Sequence, residues 1–157
     1  MSQPDFNTDA IVKAGIEHSE VLAELHSRCF FDAPWDAPSI SRILLQEPNN
    51  GLIYCIKGVP IGFILWQMVV GEAEILTICI DPKWQGQGYS RPLVDKVLRL
   101  LSHEQVSKLY LEVSEDNSSA IYLYLNVGFK EVGRRVKYYR KAGGELVDAL
   151  VMQLDIL

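Results

Sequence analysis

Two spacings of hydrophobic residues alternate along the chain and predict a mixed α/β fold. Apolar residues that recur every third or fourth position predict helices, whereas short apolar runs bounded by glycine or proline predict strands. The predicted helices run from Val21 to Phe30, from Ser39 to Gln46, from Pro92 to Leu101 and from Asn117 to Asn126. The predicted strands cover 10–16, 52–57, 61–70, 74–80, 108–113, 129–140 and 145–154. The order is β-α-α-β-β-β-α-β-α-β-β, which includes one parallel crossover through the Pro92 helix.

Turn and cap residues support these boundaries. Asn117 is a good N-cap for the helix that follows it, and Gly128 is suited to close that helix in the left-handed conformation. The segment 48–51, Pro-Asn-Asn-Gly, ends the second helix, and Gly143-Gly144 turns the final hairpin. No linker or repeat divides the sequence, so we expect one domain over residues 1–157.

Composition is that of an ordinary globular protein and excludes several classes. Hydrophobic residues make up 48% and charged residues 22% of the 157 residues, which excludes disordered and collagen-like chains. The formal net charge of −5 provides no basic field for nucleic acid or anionic lipid, so we expect neither nucleic acid as the primary ligand nor a membrane partner.

The cysteines and the N-terminal segment bear on location. Cys29, Cys55 and Cys79 are an odd number without a zinc or CxxC spacing, which favours a reducing compartment. Residues 1–9 resemble no signal peptide, and the longest apolar run, 61–70, is too short to cross a bilayer. His18, His26 and His103 are scattered, so no metal site is expected. A cytoplasmic protein is the expectation.

A glycine-rich turn joins the predicted strand 74–80 to the Pro92 helix. Its residues 85–90 read Gln-Gly-Gln-Gly-Tyr-Ser, so small side chains let backbone N–H groups approach a ligand at a helix start. A phosphate or pyrophosphate suits such a turn, and a tight turn without a ligand is the alternative. No Gly-Lys-Ser/Thr occurs, and Arg91 stands where a dinucleotide fingerprint needs its third glycine. Both of those phosphate motifs are excluded.

The same turn resembles motif A of the GCN5-related N-acetyltransferase (GNAT) superfamily. The blocks 75–82, 111–113 and 117–129 also resemble segments of that superfamily. Together with Tyr138-Tyr139 and 148–152, they are similar to the ribosomal-protein-alanine N-acetyltransferase branch. The resemblance implies a mixed, mostly antiparallel sheet of about seven strands flanked by about four helices. It also implies acetyl-CoA as co-substrate, no metal, and a protein N-terminal α-amine as acceptor, with a ribosomal protein as one candidate.

Two other functions stay open at this point. The same chemistry on a small-molecule amine or a lysine is one alternative. A non-catalytic acyl-CoA-binding module is the other, and the presence of both Glu112 and Tyr124 favours catalysis over it.

The resemblance also implies roles for individual residues. Glu112 lies on an otherwise apolar strand at the general-base position, and an ordinary solvated strand face is the alternative. Tyr124 would face the departing thiol, and core packing is its alternative. Cys79 is flanked by apolar residues and is better explained as a core residue than as a nucleophile. The implied cofactor-binding residues are Ile78, Cys79, Ile80, Gln85, Gly86, Gln87, Gly88, Tyr89, Ser90, Arg91 and Asn117.

For the acceptor, the resemblance implies Trp35 and the pair Tyr138 and Tyr139. In a regular strand only one of the two tyrosines can face the substrate. We expect Tyr138 there, whereas a bulge in the strand would favour Tyr139. A basic run surrounds the pair and is expected to be a solvated hairpin face, with contact to RNA or an acidic peptide as the alternative: Arg134, Arg135, Lys137, Arg140 and Lys141.

Overall fold

The computed structural model describes residues 9–46 and 50–157, and within them the elements follow the predicted order. The strands are β1 Ala10–Lys13, β2 Gly51–Ile56, β3 Val59–Val69, β4 Glu72–Ile80, β5 Lys108–Ser114, β6 Lys130–Arg140 and β7 Leu146–Asp155. The helices are α1 Ser19–Cys29, α2 Ala37–Leu45, α3 Ser90–His103 and α4 Ser118–Val127. The first strand is shorter than predicted because Ile16–His18 form a short 3-10 helix. Residues 1–8 of the N-terminal segment and the first half of the turn at 48–51 lie outside the described residues.

The strands form one seven-stranded sheet in the order β1-β2-β3-β4-β5-β7-β6. β4 and β5 are parallel and are joined through α3, whereas β1-β2, β2-β3, β5-β7 and β6-β7 are antiparallel. The predicted mixed, mostly antiparallel fold class and its single crossover are therefore confirmed. No helix among the described residues is long and apolar enough to span a membrane.

The chain forms two compact units, of which the first comprises Met1–Gln67 and Thr77–Lys96. Helix α1 turns Leu22, Leu25 and His26 inward, because positions three and four apart share one face of a helix. These side chains are buried, as are Phe63 of β3 and Leu93 of α3. This unit contains the glycine-rich turn.

The second unit comprises Met68–Leu76 and Val97–Leu157. In β5 the residues alternate between buried and partly exposed, so that Leu109, Leu111 and Val113 enter the core. Helix α4 is capped as predicted: the Asn117 side chain accepts from the backbone N–H of Ala120, and Gly128 closes the helix in the left-handed conformation. The expectation of one domain over residues 1–157 stays a prediction.

Candidate functional site

The segment after β4 is fixed at its start by a buried carboxylate. Asp81 is 6% exposed, and its Oδ1 accepts from the backbone N–H of Lys83 at 3.0 Å. Its Oδ2 pairs with Nη1 of Arg28 in α1 at 2.6 Å. The hydrogen bond from Lys83 and the guanidinium of Arg28 hold the pKa of Asp81 below its ordinary value. The residues that follow therefore leave β4 from an anchored point.

The glycine-rich turn is open and has free hydrogen-bond donors. Gly86 and Gly88 have φ angles of 76° and 86°, and a Cβ built on either would meet nothing within 4 Å. Within the described residues, the backbone N–H groups of 86–89 have no hydrogen-bond acceptor. Positive φ at two glycines and donors without acceptors beside a helix start fit an anionic group. The turn can therefore hold the pyrophosphate that the sequence predicts for it.

The side chains of the turn contact other parts of the first unit. The amide Nε2 of Gln85 donates to the carbonyl of Ile80 at 2.8 Å, and the thiol of Cys29 donates to the same carbonyl at 3.1 Å. The Tyr89 ring meets the rings of Tyr54 and Trp84 edge-on. The Gln85 amide therefore connects the turn to the end of β4, and the Tyr89 ring connects it to β2.

Cys79 lies in β4 between two other candidate cofactor-binding residues and is 2% exposed. Burial raises the pKa of its thiol, and the neighbouring thiol of Cys29 raises it further. A thiolate is therefore disfavoured, and the interpretation of Cys79 as a core residue is supported. The expected role of the Ile78, Cys79 and Ile80 main chain in binding the cofactor stays a prediction.

Trp35 is held by a buried histidine that the sequence did not indicate. His26 is 2% exposed, and its Nδ1 accepts from the backbone N–H of Trp35 at 3.0 Å. The two rings stack at 4.8 Å with an interplanar angle of 17°. Burial lowers the pKa of His26 to about 4, so the ring is neutral near pH 7 and its nitrogen is able to accept. The segment between α1 and α2 is thereby fixed in position.

In the second unit, Glu112 lies on the partly exposed face of β5, opposite to the core residues. Its side chain is 19% exposed, and Oε1 lies 2.9 Å from Nε of Arg135 in β6. Glu112 also lines a shallow cavity of about 290 Å³ together with Tyr110 and Val151. The carboxylate is therefore partly exposed and paired with a cation, and its role as general base stays a prediction.

The two tyrosines of β6 occupy different environments because the strand is irregular. The register between β6 and β7 shifts between Arg135 and Tyr139, and Lys137 has a φ angle of 54°. Tyr138 is 52% exposed, whereas burial first and the charge of Glu112 second raise the pKa of Tyr139. The condition of a regular strand is not met, and Tyr139 lies within electrostatic reach of Glu112.

Helix α4 contributes the other two predicted residues. Tyr124 is 4% exposed, and its ring meets that of Phe129 edge-on at 5.6 Å. Asn117 caps the helix through its side chain, which is the structural role expected of it. The packing of Tyr124 is compatible with its alternative as a core residue, and its role toward a thiol stays a prediction.

The basic run around the tyrosines is largely paired with carboxylates. Arg134 contacts Glu115, Glu131 and Asp148 at 2.9 to 3.2 Å, and Lys141 contacts Asp116 at 3.0 Å. Arg134, Arg135, Lys137 and Arg140 are exposed, which agrees with the expected solvated hairpin face, and the β6-β7 hairpin brings acidic side chains beside Arg134 and Lys141. Across residues 9–46 and 50–157, no three His, Cys, Asp or Glu side chains are grouped to hold a metal ion.

Known proteins match this chain in sequence. The profile described as "Acetyltransferase (GNAT) family" matches residues 19–129. "N-alpha-acetyltransferase RimI" of Mycobacterium tuberculosis is 36% identical over 138 residues, which cover 85% of this chain and 84% of that protein. "[Ribosomal protein bS18]-alanine N-acetyltransferase" of Haemophilus influenzae is 42% identical over 92 residues, which cover 59% of this chain and 62% of that protein.

Solved structures match over almost the whole chain. The ribosomal-protein-S18-alanine N-acetyltransferase from Escherichia coli superposes with a TM-score of 0.88 at 28% identity, covering 95% of this chain and 94% of that one. The yncA protein of Salmonella typhimurium, a putative acetyltransferase solved with its cofactor acetyl-CoA, superposes with a TM-score of 0.82 at 17% identity. It covers 96% of this chain and 95% of that one, and at this identity it supports the fold alone.

Proposed function

The chain belongs to the GNAT acetyltransferase family, and we propose that it transfers the acetyl group of acetyl-CoA to the N-terminal α-amine of a protein. The observation that carries the proposal is Glu112, a partly exposed carboxylate on the half-buried face of β5, opposite to the buried Leu109, Leu111 and Val113. The names of the relatives from Mycobacterium and Haemophilus support an α-amine as acceptor.

Acetyl-CoA supplies the activated acetyl group as a thioester. We assign its pyrophosphate to the N–H groups of the turn around Gly86 and Gly88, because those donors have no acceptor among the described residues. Ser90 and Arg91 at the start of α3 belong to the same proposed site. Asn117 and the main chain of 78–80 complete the proposed set, and no metal is part of it.

The transfer forms a C–N bond and breaks a C–S bond, so the amine must lose a proton and the thiolate must gain one. Glu112 is proposed to take the proton of the amine, directly or through water. With a reference pKa near 7.8, about one seventh of an α-amine is neutral at pH 7, against about one in 2,500 for a lysine near 10.4. A single carboxylate base therefore suits an α-amine better than a lysine.

Tyr124 is proposed to act on the leaving thiolate. Full proton transfer from an ordinary tyrosine near 10 to a thiolate near 8.5 is uphill by about 2 kcal/mol. A hydrogen bond from the phenol to the sulfur stabilises the thiolate without this free-energy cost of proton transfer. We therefore assign Tyr124 to hydrogen-bond stabilisation, with the proton reaching the thiolate afterwards.

Trp35 and Tyr139 are proposed to contact the first residues of the acceptor. The stacked His26 fixes Trp35, and Tyr139 lies close to the carboxylate that would take the proton. A ribosomal protein is one candidate acceptor, on the strength of the Haemophilus and Escherichia names. Such an acceptor places the enzyme in the cytoplasm.

The test is acetyl-CoA turnover, followed as free thiol, on a panel of N-terminal peptides, lysine peptides and small amines. The proposal expects transfer to N-terminal peptides, and about 100-fold slower turnover for Glu112→Gln at neutral pH with unchanged acetyl-CoA affinity. The deficit shrinks at high pH, because the amine then loses its proton unaided. A deficit that stays constant from about pH 6 to about pH 9.5 contradicts the role of Glu112 as base.

The panel also separates the alternatives. Turnover on small amines but not on peptides would favour a small-molecule acetyltransferase. Binding of acetyl-CoA without turnover on any amine would favour a non-catalytic module.

A further inference from the structure

The carboxylate of Glu112 does not stand alone on its strand face. In the register of the sheet, Glu112 lies opposite Val151, and Arg135 lies opposite Ala149, two residues along the same strand. Residues two apart in a strand point to the same side, so Glu112 and Arg135 share one face across β7. Their side chains meet with 2.9 Å between Oε1 and Nε.

Arg135 is held from its other side by an aromatic ring. Its guanidinium carbon lies 5.2 Å from the centroid of the Tyr138 ring, within the range of a cation–π contact. Tyr138 in turn meets Tyr139 edge-on at 5.1 Å. Ion pair and ring contact together restrict a long side chain that is otherwise 55% exposed.

The irregularity in β6 makes this arrangement possible. Arg135 pairs with Ala149 and Tyr139 pairs with Val147. Between these two pairs, β6 therefore contains two more residues than β7. The backbone N–H of Lys137 donates to Oδ1 of Asp148 at 2.9 Å and supports the bulge. With the bulge in place, the Tyr138 ring packs against the Arg135 guanidinium, and Tyr139 lies within electrostatic reach of Glu112.

We propose that Arg135 is a positioning residue that orients the Glu112 carboxylate, and that Tyr138 acts through Arg135. This inference rests on the proposed function, in which Glu112 is the base. A glutamate has three rotatable side-chain bonds, whereas a base must bring one oxygen within about 3 Å of the proton it takes. An ion pair at Oε1 selects among the rotamers of Glu112 and leaves Oε2 to face the amine. Tyr139 then remains the tyrosine that contacts the acceptor.

The test is a double-mutant cycle on the turnover number with an N-terminal peptide. Arg135→Gln is expected to lower kcat about tenfold, a part of the roughly 100-fold contribution of a general base, and to leave acetyl-CoA affinity unchanged. In the Glu112→Gln background the same change is expected to lower kcat less than about twofold, because residues that act as a unit are not additive. Arg135→Lys is expected to restore part of the loss.

Arg140→Gln is the matched control, since it removes the same charge from the same strand. Arg140 is exposed and has no ion-pair partner among the described residues. The kcat of the Arg140→Gln variant is therefore expected to equal that of the wild type. Thermal unfolding of each variant verifies the fold. Equal losses from Arg135→Gln with and without Glu112 would show a general structural effect and overturn the inference.

Tyr138→Ala provides a second variant that leaves the ion pair in place. It is expected to lower kcat about threefold with the peptide KM unchanged, and to have no further effect in the Glu112→Gln background. A raised peptide KM with normal kcat would place Tyr138 on the acceptor and contradict the inference. If Glu112→Gln retains full turnover, the proposed base is wrong. If Glu112→Gln loses turnover and Arg135→Gln does not, the base stands and only the positioning role of Arg135 is wrong.

Discussion

Replacing the buried His26 by asparagine is expected to make the protein less sensitive to mild acid. The Oδ1 of asparagine lies near the position of Nδ1, so the variant keeps an acceptor for the Trp35 N–H that the histidine accepts at 3.0 Å. It loses the titratable ring and its stacking on Trp35. The change therefore separates the charge of residue 26 from its hydrogen bond.

The magnitude follows from the pKa of His26. Burial lowers it to about 4, against 6.5 for an ordinary histidine, so between these pH values the unfolded chain binds a proton that the folded protein does not. Folding stability must then fall as the pH falls through this range. With RT near 0.59 kcal/mol, the contribution of His26 is about zero at pH 7.5 and a loss of about 2 kcal/mol at pH 5. The lowered pKa values of Asp81 and Asp116 act only below about pH 4.

Urea unfolding at about pH 7.5 and about pH 5, followed by tryptophan fluorescence and circular dichroism, measures the effect. At the higher pH the His26→Asn variant is expected to be less stable, because a packed ring is lost. At the lower pH the stability difference should narrow by about 2 kcal/mol. His103→Asn, at an exposed position, is the matched control. The assignment of a neutral His26 would be refuted if the difference in unfolding free energy between His26→Asn and wild type were the same at both pH values within about 0.5 kcal/mol.

Three further changes test the proposed binding sites and the buried carboxylate that anchors the segment after β4. Gly88→Val is expected to abolish acetyl-CoA binding, measured by calorimetry. Gly71→Val should preserve it, because Gly71 also has a positive φ angle and open surroundings but lies in another turn. Undiminished acetyl-CoA affinity of a folded Gly88→Val protein would refute the role of the glycine-rich turn. Asp81→Ala should lower the free energy of unfolding by about 1–3 kcal/mol in urea, since a buried cap and ion pair to Arg28 are lost; a loss below about 0.5 kcal/mol contradicts this. Tyr139→Ala should raise the peptide KM several-fold with acetyl-CoA affinity unchanged, and an unchanged KM removes Tyr139 from the acceptor site.

The sequence predicts best the features that depend on neighbouring residues. The strand and helix order, the Asn117 cap and the Gly128 closure follow from local spacing and turn chemistry, and all are confirmed. The burial of Cys79 follows from its two apolar neighbours. Each of these features is decided within a few residues of the chain.

The contacts that the sequence does not predict join distant segments. Arg135 stands in a basic run, and nothing near it in sequence distinguishes it from Arg134, yet only the register across β7 places it beside Glu112. A two-residue shift in that register is invisible in the hydrophobic pattern of an exposed strand. The pairing of His26 with Trp35 likewise depends on how the segment between α1 and α2 returns over the first helix.

The proposed activity is acetylation of an α-amine with Glu112 as base. One peptide that contains both a free N-terminus and an internal lysine tests it most directly, because both amines compete in one molecule. After incubation with acetyl-CoA, fragmentation mass spectrometry locates the acetyl group. We expect acetylation of the N-terminus by the wild-type protein and about 100-fold less product with Glu112→Gln at neutral pH. Acetylation of the lysine, or the same N-terminal product at the same rate with Glu112→Gln, would contradict it.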